Sequence, residues 1–404
     1  MFNRRDFLKS STLVALAPTV PGFLTSVARA APSQRDGRVL VVIELKGGND
    51  GINTIVPYAD PGYAKNRPSL CLPTAQLIKV NDHVGLHPAL RGAARLLESQ
   101  RLAIVQGVSY PNPSRSHDRS MSIWQTARLN PEKQDLGWLG SALDASDPPT
   151  DGSPGAVLSG IDAPPRALEG QRSRAATMSG FEDAYVSGSL NPRRAIAEPG
   201  TGSDLKAFMS RSFLDAYTSA DRLKEVARAK DPGGVYPETQ LGERLRLIAQ
   251  LLKGGFHTRV FYAIQAGYDN HYGQAAIHAQ LLGELGNSVG AFLDDLAVAK
   301  LAERVLVLCF SEFGRTVQEN GSAGTDHGTA GPLLLAGPCV KAGLVGTTPS
   351  LEDLDPGQGE LKQGELKVGI DFRQVYATVL EEWLELPSKT ALAGDFKRLP
   401  LFQK

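Results

Sequence analysis

Residues 38–51 have the sequence RVLVVIELKGGNDG, a valine-rich apolar run that ends in glycine, asparagine and aspartate. A short, continuous apolar run is typical of a strand that is buried on both faces of a parallel sheet, since neither face alternates toward water. The polar residues that follow mark the carboxyl end of the strand. This stretch therefore predicts the first strand of an α/β sheet, with polar groups at one edge of that sheet.

Four more stretches have the composition of buried strands, and three others have apolar positions at helical spacing. The predicted strands cover residues 102–108, 260–266, 305–310 and 332–336. The predicted helices cover residues 88–98, 274–301 and 371–384. Because strands and helices alternate along the chain, we predict an α/β fold with a mostly parallel central sheet that is flanked by helices.

A less regular segment interrupts this alternation. Residues 145–205 are rich in Pro, Gly, Ser and Arg and predict loops. Residues 206–252 predict two helices, which are separated by the sequence Asp-Pro-Gly-Gly that begins at Asp231. We therefore predict a single domain over residues 31–404, with a loop-rich and helical insertion at about residues 145–255.

The overall composition excludes several classes of protein. The chain has 404 residues, of which 42% are hydrophobic, and this is enough to form a sizeable core. Its 43 basic and 43 acidic residues give a formal net charge of zero, whereas proteins that bind nucleic acid usually carry a basic excess. Beyond the N-terminus the sequence has no apolar run of about 18 residues, so no membrane anchor is expected in the mature protein.

The N-terminus has the three regions of a secretory signal peptide. Arg4 and Arg5 come before an uncharged stretch, residues 10–28, and Ala28-Arg29-Ala30 provides a cleavage site of small residues. Twin arginines indicate export by the Tat route, and the alternative is an ordinary basic N-terminus. We therefore predict that residues 1–30 form a Tat signal, that the Tat translocase is a partner during export, and that the mature protein is periplasmic or extracellular.

Polar residues follow the predicted strands at the points where these strands end. Asp50 follows the first strand, and Asp269 and His271 follow the third. The carboxyl ends of parallel strands lie at one edge of a sheet, which is where ligands bind in open α/β folds. We expect the polar residues at these ends to share one site, and they also include Ser114, Arg115, Ser116 and His117 after the second strand, Glu312 and Arg315 after the fourth, and Asp326 and His327 just beyond.

The converging side chains are mostly carboxylates and imidazoles. Oxygen and nitrogen ligands without thiolates suit Zn, Mn, Mg or Fe, and their number allows a pair of ions that would clamp the attacking and leaving oxygens of a displacement. Lys46, Arg115 and Arg315 lie in the same loops, and their charges suit an anionic ester group. The sequence thus predicts one or two divalent ions, Zn, Mn or similar, beside a small anionic ester or a glycan.

Six motifs, in order along the chain, resemble a known family. They are LKGGNDGINTIVPY (45–58), YPNPSRSH (110–117), GYDNH (267–271), SEFGRT (311–316), GTDHG (324–328) and DFRQVY (371–376). They are similar to the secreted family known as domain of unknown function 1501, which commonly carries a Tat signal. That family is grouped with the alkaline-phosphatase-like superfamily of phosphatases, sulfatases and phosphomutases. The resemblance covers nearly the whole mature chain and implies an alkaline-phosphatase-like fold.

The resemblance also assigns metal-binding roles to individual residues. It implies Asp269, His271 and His327 as the ligands of one metal, and Asp50 and Glu312 as ligands of a second.

Some of these assignments leave alternatives open. Phe313 stands where the phosphatases carry a His, and we consider His117 as a substitute ligand. Asp326 is either another ligand or a partner that orients His327. Glu312 alternatively pairs with Arg315. The remaining histidines that are expected at the surface are His83, His257 and His278.

Three serines compete for the role of the superfamily nucleophile. Ser114, Ser116 and Ser120 all lie at or near the start of a predicted helix, and Ser116 is preferred because it adjoins a candidate ligand. A serine hydroxyl needs a metal or a base to become a good nucleophile, and a serine at a helix start is most often only a cap. Arg115 or Lys46 would then bind the anion.

Two functions follow from these residues. The first is a metal-dependent hydrolase of phosphate or sulfate esters in the periplasm. The alternative is a non-catalytic secreted protein that uses the same scaffold to bind a glycan or a partner, with one metal or none. Turnover of aryl phosphates or sulfates distinguishes the two.

Overall fold

The strands predicted from the apolar runs form the centre of a ten-stranded sheet in the computed structural model. The structure describes residues 37–147, 149, 153–173, 175–178, 184–185, 226, 233–356 and 364–403. The strands are β1 Val39–Lys46, β2 Ile55–Val56, β3 Ile78–Lys79, β4 Gly85–Leu86, β5 Leu102–Ser109, β6 Ala156–Ser159, β7 Ala175–Met178, β8 Ala184–Tyr185, β9 Val260–Ala266, β10 Val305–Phe310, β11 Gly331–Ala336, β12 Gly343–Val345 and β13 Ile370–Asp371.

The helices in the described part of the chain surround this sheet. They are α1 Gly51–Thr54, α2 Pro61–Asn66, α3 Arg91–Glu98, α4 His117–Thr126, α5 Trp138–Asp144, α6 Gln240–Lys253, α7 Gln274–Val298, α8 Phe372–Thr378 and α9 Ser388–Leu392. A π-helical turn, Val379–Trp383, directly follows α8, so that the single helix predicted over residues 371–384 has an irregular second half. None of the described helices combines the length and the apolar character that a membrane span requires.

The sheet has the strand order β12-β5-β11-β10-β1-β9-β6-β7-β8, and β13 pairs with β5. β1 lies between β9 and β10 and is parallel to both of them. β11 is antiparallel to both of its neighbours, β10 and β5, so β5 runs in the same direction as β1. The mostly parallel α/β class predicted from the sequence is therefore confirmed, with β11 and the edge strand β8 as the antiparallel exceptions.

The two faces of β1 explain why its sequence is apolar without alternation. Val41 and Ile43 pack with α3, α6 and α7 on one face, while Leu40 and Val42 pack with α4, α5 and α8 on the other. Each of these four side chains is at most 1% exposed. A strand covered by helices on both sides has no face that would tolerate polar residues. The apolar run thus reflects a sheet buried between two helical layers.

The segment predicted as irregular loops contributes three strands to the main sheet, two of four residues and the two-residue edge strand β8. β6 pairs in parallel with β9, and β7 pairs in parallel with β6. β6 and β7 each have only four residues between stretches rich in Gly, Pro and Ser, so hydrophobic periodicity has too few positions to reveal them. The expectation of loops throughout residues 145–205 is therefore corrected. The signal at residues 1–30 and the first helix of the predicted insertion lie outside the described residues, apart from position 226.

Three strands that carry candidate residues end at the same edge of the sheet. The carboxyl ends of β1, β9 and β10 lie side by side, because these strands pair in parallel and in near register. β11 begins at this edge because it runs the opposite way. The connection from β10 to β11, residues 311–330, therefore leaves and returns at one edge. Residues from both of its ends lie close together as a result, as the bridge between Arg315 and His327 shows.

Candidate functional site

Three side chains from two loops meet at this edge with their ligand atoms almost equidistant. Asp269 and His271 follow β9, and His327 precedes β11. His271 Nε2 is 2.9 Å from Asp269 Oδ1, and His327 Nε2 is 3.1 Å from the same oxygen. The two Nε2 atoms are 3.0 Å apart. These are the three residues that the sequence assigned to one metal, and the structure brings them together.

The opposite ring nitrogens of the two histidines fix which atoms carry hydrogens. His271 Nδ1 donates to Asp326 Oδ1 at 2.9 Å, and His327 Nδ1 donates to the carbonyl oxygen of Arg115 at 2.8 Å. Both acceptors lack a hydrogen, so each Nδ1 must be the protonated nitrogen. In the neutral rings, Nε2 then presents a lone pair. Two imidazole lone pairs and a carboxylate oxygen facing each other at about 3 Å repel one another unless a cation lies between them.

His117 adds a fourth lone pair to the cluster. It is the first residue of α4, and its Nδ1 donates to Glu312 Oε1 at 2.8 Å. Its Nε2 is 3.4 Å from Asp269 Oδ2 and is buried without a hydrogen-bond partner among the described residues. Ligand atoms of His117, Asp269 and His327 all lie within 4.8 Å of one another. A buried nitrogen without a hydrogen-bond partner that faces a carboxylate has the setting of a metal ligand.

Arg315 holds the carboxylate of this cluster in place. Its side chain is only 1% exposed, and its Nη2 donates to Asp269 Oδ1 at 2.7 Å and to the carbonyl oxygen of Tyr268 at 2.9 Å. It also donates to carbonyl oxygens of Gly47, Gly48 and Thr325. Burial by itself would raise the pKa of Asp269, but the hydrogen bond and the positive charge of Arg315 lower it well below its usual range. The carboxylate is therefore ionised at all ordinary pH values.

Different neighbours shift the pKa values of His327 and His117. Partial burial lowers the pKa of His327, and this favours the neutral ring that a metal requires. The hydrogen bond with Glu312 raises the pKa of His117. Each ring thus has an acceptor behind it that sets its orientation, as second-shell partners of metal-bound histidines do.

These four side chains, the His117–Asp269–His271–His327 cluster, fit a divalent transition metal. Bonds of about 2.0–2.1 Å in a tetrahedral shell hold ligand atoms about 3.3 Å apart, close to the distances seen here. Imidazole nitrogens with one carboxylate suit Zn and Fe better than Mg, which prefers oxygen ligands. Glu312 and Asp326, two of the predicted ligands, lie behind His117 and His271 as hydrogen-bond partners. Asp326 was expected to orient His327, but its ring partner is His271, and the Arg115 carbonyl oxygen holds His327.

Asp50 does not join this cluster. It is 2% exposed, and its two carboxylate oxygens face Arg67, with Nη1–Oδ2 at 2.7 Å and Nη2–Oδ1 at 3.2 Å. Gln274 donates to Oδ2 at 2.5 Å, and the backbone of Asn53 donates to Oδ1. Burial would raise the pKa of Asp50, but the charge and hydrogen bonds of Arg67 lower it to about 2. A guanidinium thus occupies the place in which the sequence predicted a second ion.

The residues predicted for catalysis have different surroundings. Ser116 is exposed at the N-cap position of α4, and its side chain makes no capping bond. Ser120 is fully buried and donates to the carbonyl oxygen of Glu312 at 2.5 Å. Arg115 forms an ion pair with Glu365 at 3.1 Å. Lys46 ends β1 with an exposed side chain.

A cleft of about 610 Å³ opens beside the cluster. His117, Asp269 and Glu312 form part of its wall, and Lys46 contributes a positive charge. Glu44 and Gln125 lie on the same lining. The cluster therefore borders a space large enough for a small ligand.

The model of one protein family, described as proteins of unknown function (DUF1501), matches residues 38–392. The chain belongs to this family. No protein with a curated description matches it. The resemblance drawn from the six motifs is thereby confirmed at the level of the family.

Several solved structures are similar to this DUF1501 protein. A sulfatase from Pseudoalteromonas sp. has 14% sequence identity and a TM-score of 0.36, over 91% of this chain and 74% of that one. A phosphonate monoester hydrolase of Agrobacterium radiobacter has 10% identity and a TM-score of 0.39, over 89% and 78%. The C-terminal periplasmic domain of EcEptC from Escherichia coli, in complex with Zn, has 8% identity and a TM-score of 0.33, over 74% and 73%.

Sequence reasoning missed three residues of this DUF1501 protein. Arg67 lies in no recognisable motif, so nothing in the sequence linked it to Asp50. His278 was expected at the surface, but it is 2% exposed and donates from Nε2 to Asn49 Oδ1 at 3.0 Å; burial lowers its pKa to about 4. Glu44 did leave a signal, since it is the one acidic residue inside the apolar run of β1.

Proposed function

We propose that this protein is a metal-dependent hydrolase of phosphate or sulfate esters. The observation that carries the proposal is the convergence of three imidazole lone pairs and one carboxylate beside a cleft, whose wall includes His117 and Asp269. A bound divalent ion would supply Lewis-acid polarisation of the ester group. The family resemblance supports esters of phosphate or sulfate as the substrate class.

The chain's own residues would bind and orient the substrate around that ion. His117, Asp269, His271 and His327 hold the ion, and the acceptors behind the rings keep Nε2 unprotonated toward it. Lys46 on the cleft wall attracts the anionic group as a point charge. Ser116, adjacent to His117 and without a capping bond, is the nucleophile in this proposal.

The setting of the reaction is also part of the proposal. Export by the Tat translocase would place the protein in the periplasm or outside the cell. The partner there is a small anionic ester or a glycan. We propose no nucleic-acid partner, since the chain has no net charge.

One observation favours the non-catalytic alternative. Four protein ligands complete a tetrahedral zinc shell, whereas catalytic zinc sites usually keep three protein ligands and one open position. Whether His117 is a ligand decides between a closed site and a catalytic one. Its Nε2 lies farther from the carboxylate of Asp269 than the Nε2 atoms of His271 and His327 do. If His117 leaves the shell or the ion accepts five ligands, a position for substrate is open.

The test combines metal analysis with turnover. We expect purified mature protein to hold one equivalent of Zn or a similar ion and to hydrolyse an aryl phosphate or an aryl sulfate. Asp269→Ala and His327→Ala should remain folded but lose the metal and the activity, and the exposed His83→Ala serves as the matched control. Stoichiometric metal in both variants would overturn the assignment of the site. Metal that is retained without turnover of any ester would support the binding protein instead.

A further inference from the structure

Glu44 is a buried carboxyl at the base of the cleft, outside the metal cluster. It is 2% exposed, yet it lines the cleft. It lies two positions before Lys46 on β1, so both side chains are on the same face of the sheet. A carboxyl in the middle of a strand that is otherwise apolar needs a reason, because burying an ionised carboxylate is costly.

The two oxygens of Glu44 have unequal surroundings. Oε2 accepts hydrogen bonds from the hydroxyl of Tyr262 at 2.5 Å and from Nε2 of Gln125 at 3.3 Å. Oε1 has no hydrogen-bond partner among the described residues. Hydrogen bonds therefore hold the carboxyl group through Oε2, while Oε1 remains available to contact a ligand in the cleft.

A second buried carboxyl, Glu312, lines the same cleft. It is 1% exposed and accepts three hydrogen bonds, from the backbone of Gly47 at 2.9 Å, from Ser311 Oγ at 3.1 Å and from His117 Nδ1 at 2.8 Å. Both oxygens of Glu312 thus face donors, whereas only one oxygen of Glu44 does.

An anionic ligand can bind beside Glu44 only if Glu44 carries a proton, because the cleft is already lined by several carboxylates. With every acidic group ionised, Lys46 would face the carboxylates of Glu44, Asp118, Asp162, Asp269 and Glu312. Asp162 has its own partner, Arg244, at 3.1 Å. An anion placed beside an ionised Glu44 would meet like charge in a poorly solvated place, whereas a protonated Glu44 offers it a donor.

We propose that Glu44 is protonated in the working protein and donates a hydrogen bond from Oε1 to an oxygen of the anionic ester group in the cleft. The chemical class of the ligand rests on the proposed function, while the proton and its position rest on the geometry. Glu44 then sets the specificity of the cleft for oxyanions, together with Lys46.

The pKa of this carboxyl agrees with that arrangement. Burial raises the pKa of Glu44 to about 7, and the negative charge of Glu312 adds to the increase. The other groups that face it are Lys46 on β1, Tyr262 on β9 and Tyr376 on α8. Burial raises the pKa values of both tyrosines well above the ordinary value, so neither phenol ionises near neutral pH.

The test measures sulfate binding by calorimetry between pH 5.5 and 8.5, because sulfate does not titrate in that range. Wild-type protein is compared with Glu44→Gln, whose amide accepts from Tyr262 and donates toward the cleft at every pH. We expect the wild-type affinity to fall by roughly tenfold per pH unit above about 7, in proportion to the protonated fraction. The affinity of the variant should not show this fall. Both proteins are measured once with zinc and once without metal. Wild type and variant are then compared only at the same metal content of the histidine cluster.

Each outcome decides the matter. A pH-dependent loss of sulfate binding in the wild type that is absent in Glu44→Gln supports the proposal. Identical pH profiles in the two proteins, or no sulfate binding in either, would overturn it. Failure of the proposed function has a different signature, namely absence of bound metal or of ester turnover while the difference between the two sulfate profiles persists.

Discussion

Asp50 and Asp269 follow neighbouring strands of one sheet, yet only Asp269 belongs to a candidate metal site. Asp50 is buried and has its oxygens filled by Arg67, Gln274 and a backbone amide. Asp269 has a side chain that is 47% exposed, and it faces His271 and His327 with no hydrogen between their lone pairs. A carboxylate at a strand end therefore does not by itself indicate a metal ligand.

The two aspartates differ in how many of their carboxylate oxygens an arginine contacts. Both aspartates have a lowered pKa and both contact an arginine. Arg67 binds Asp50 through two nitrogens, whereas Arg315 uses one nitrogen on Oδ1 of Asp269. Oδ2 of Asp269 is left facing His117. Arg67 contacts both oxygens of Asp50 and excludes an ion, whereas Arg315 contacts only Oδ1 of Asp269 and leaves room for three imidazoles around that carboxylate.

Removing Arg67 should have the largest effect. Arg67→Ala leaves Asp50 buried and unpaired, so we expect a loss of about 3–5 kcal/mol in the free energy of unfolding. Chemical denaturation measures this loss, and the exposed Arg91→Ala is the control. The double variant with Asp50→Asn should recover part of the stability.

The single variant Asp50→Asn tests how many metal ions the protein binds. Asp50→Asn should hold as much metal as the wild type, because Asp50 ligates none. If elemental analysis found two equivalents in the wild type and one in Asp50→Asn, the contrast between the two aspartates would fail.

Acid should weaken the buried region next to Asp50 by a smaller amount. Burial lowers the pKa of His278 from 6.5 to about 4, so the unfolded chain binds a proton that the folded chain refuses. Stability is present above pH 6.5 and is lost as the pH falls from 6.5 toward 4, by up to about 3 kcal/mol. Denaturation of wild type and His278→Asn across this range measures the effect. Equal acid sensitivity of the two proteins would contradict it.

The smallest effect concerns the acceptors behind the histidines. Asp326→Asn keeps the shape of the side chain but removes its charge, so His271 is oriented less firmly and is a weaker ligand. We expect zinc affinity to fall by about tenfold, without loss of the fold. Competition with a chelating dye measures the affinity. Glu319→Gln offers a comparison, since Glu319 pairs with the backbone of Ser69 and Leu70 rather than with a ring. A larger loss in that variant would argue against an orienting role for Asp326.

The sequence predicted the fold from its longest apolar runs, and these are the strands that form the sheet centre. β1, β5, β9, β10 and β11 were all anticipated within a few residues. β6 and β7 were missed because four residues in a Gly- and Pro-rich stretch carry too little periodicity. Strand direction was also not visible in β11, since an apolar run has the same composition in either orientation.

The candidate site was predictable where chain position alone brings residues together. Asp269 and His271 follow from the rule that polar residues gather at the carboxyl ends of parallel strands. His327 lies at the same edge because β11 runs antiparallel, which the sequence did not reveal. The sequence left open which residues are ligands and which are their partners, because whether His117 or Glu312 faces the cluster depends on side-chain packing. The pairing of Asp50 with Arg67 depends on tertiary packing, which no local pattern of the sequence reveals.

The antiparallel direction of β11 has a consequence for how the site assembles during folding. Pairing β10 with β11 closes a loop of moderate length, and it can form early because the entropic cost of closing such a loop is small. Asp269 and His117 come from distant parts of the chain and reach the loop only when β1, β9 and β5 have joined the sheet. Affinity for metal therefore arises late, and a refolding chain should regain its secondary structure before it can hold an ion.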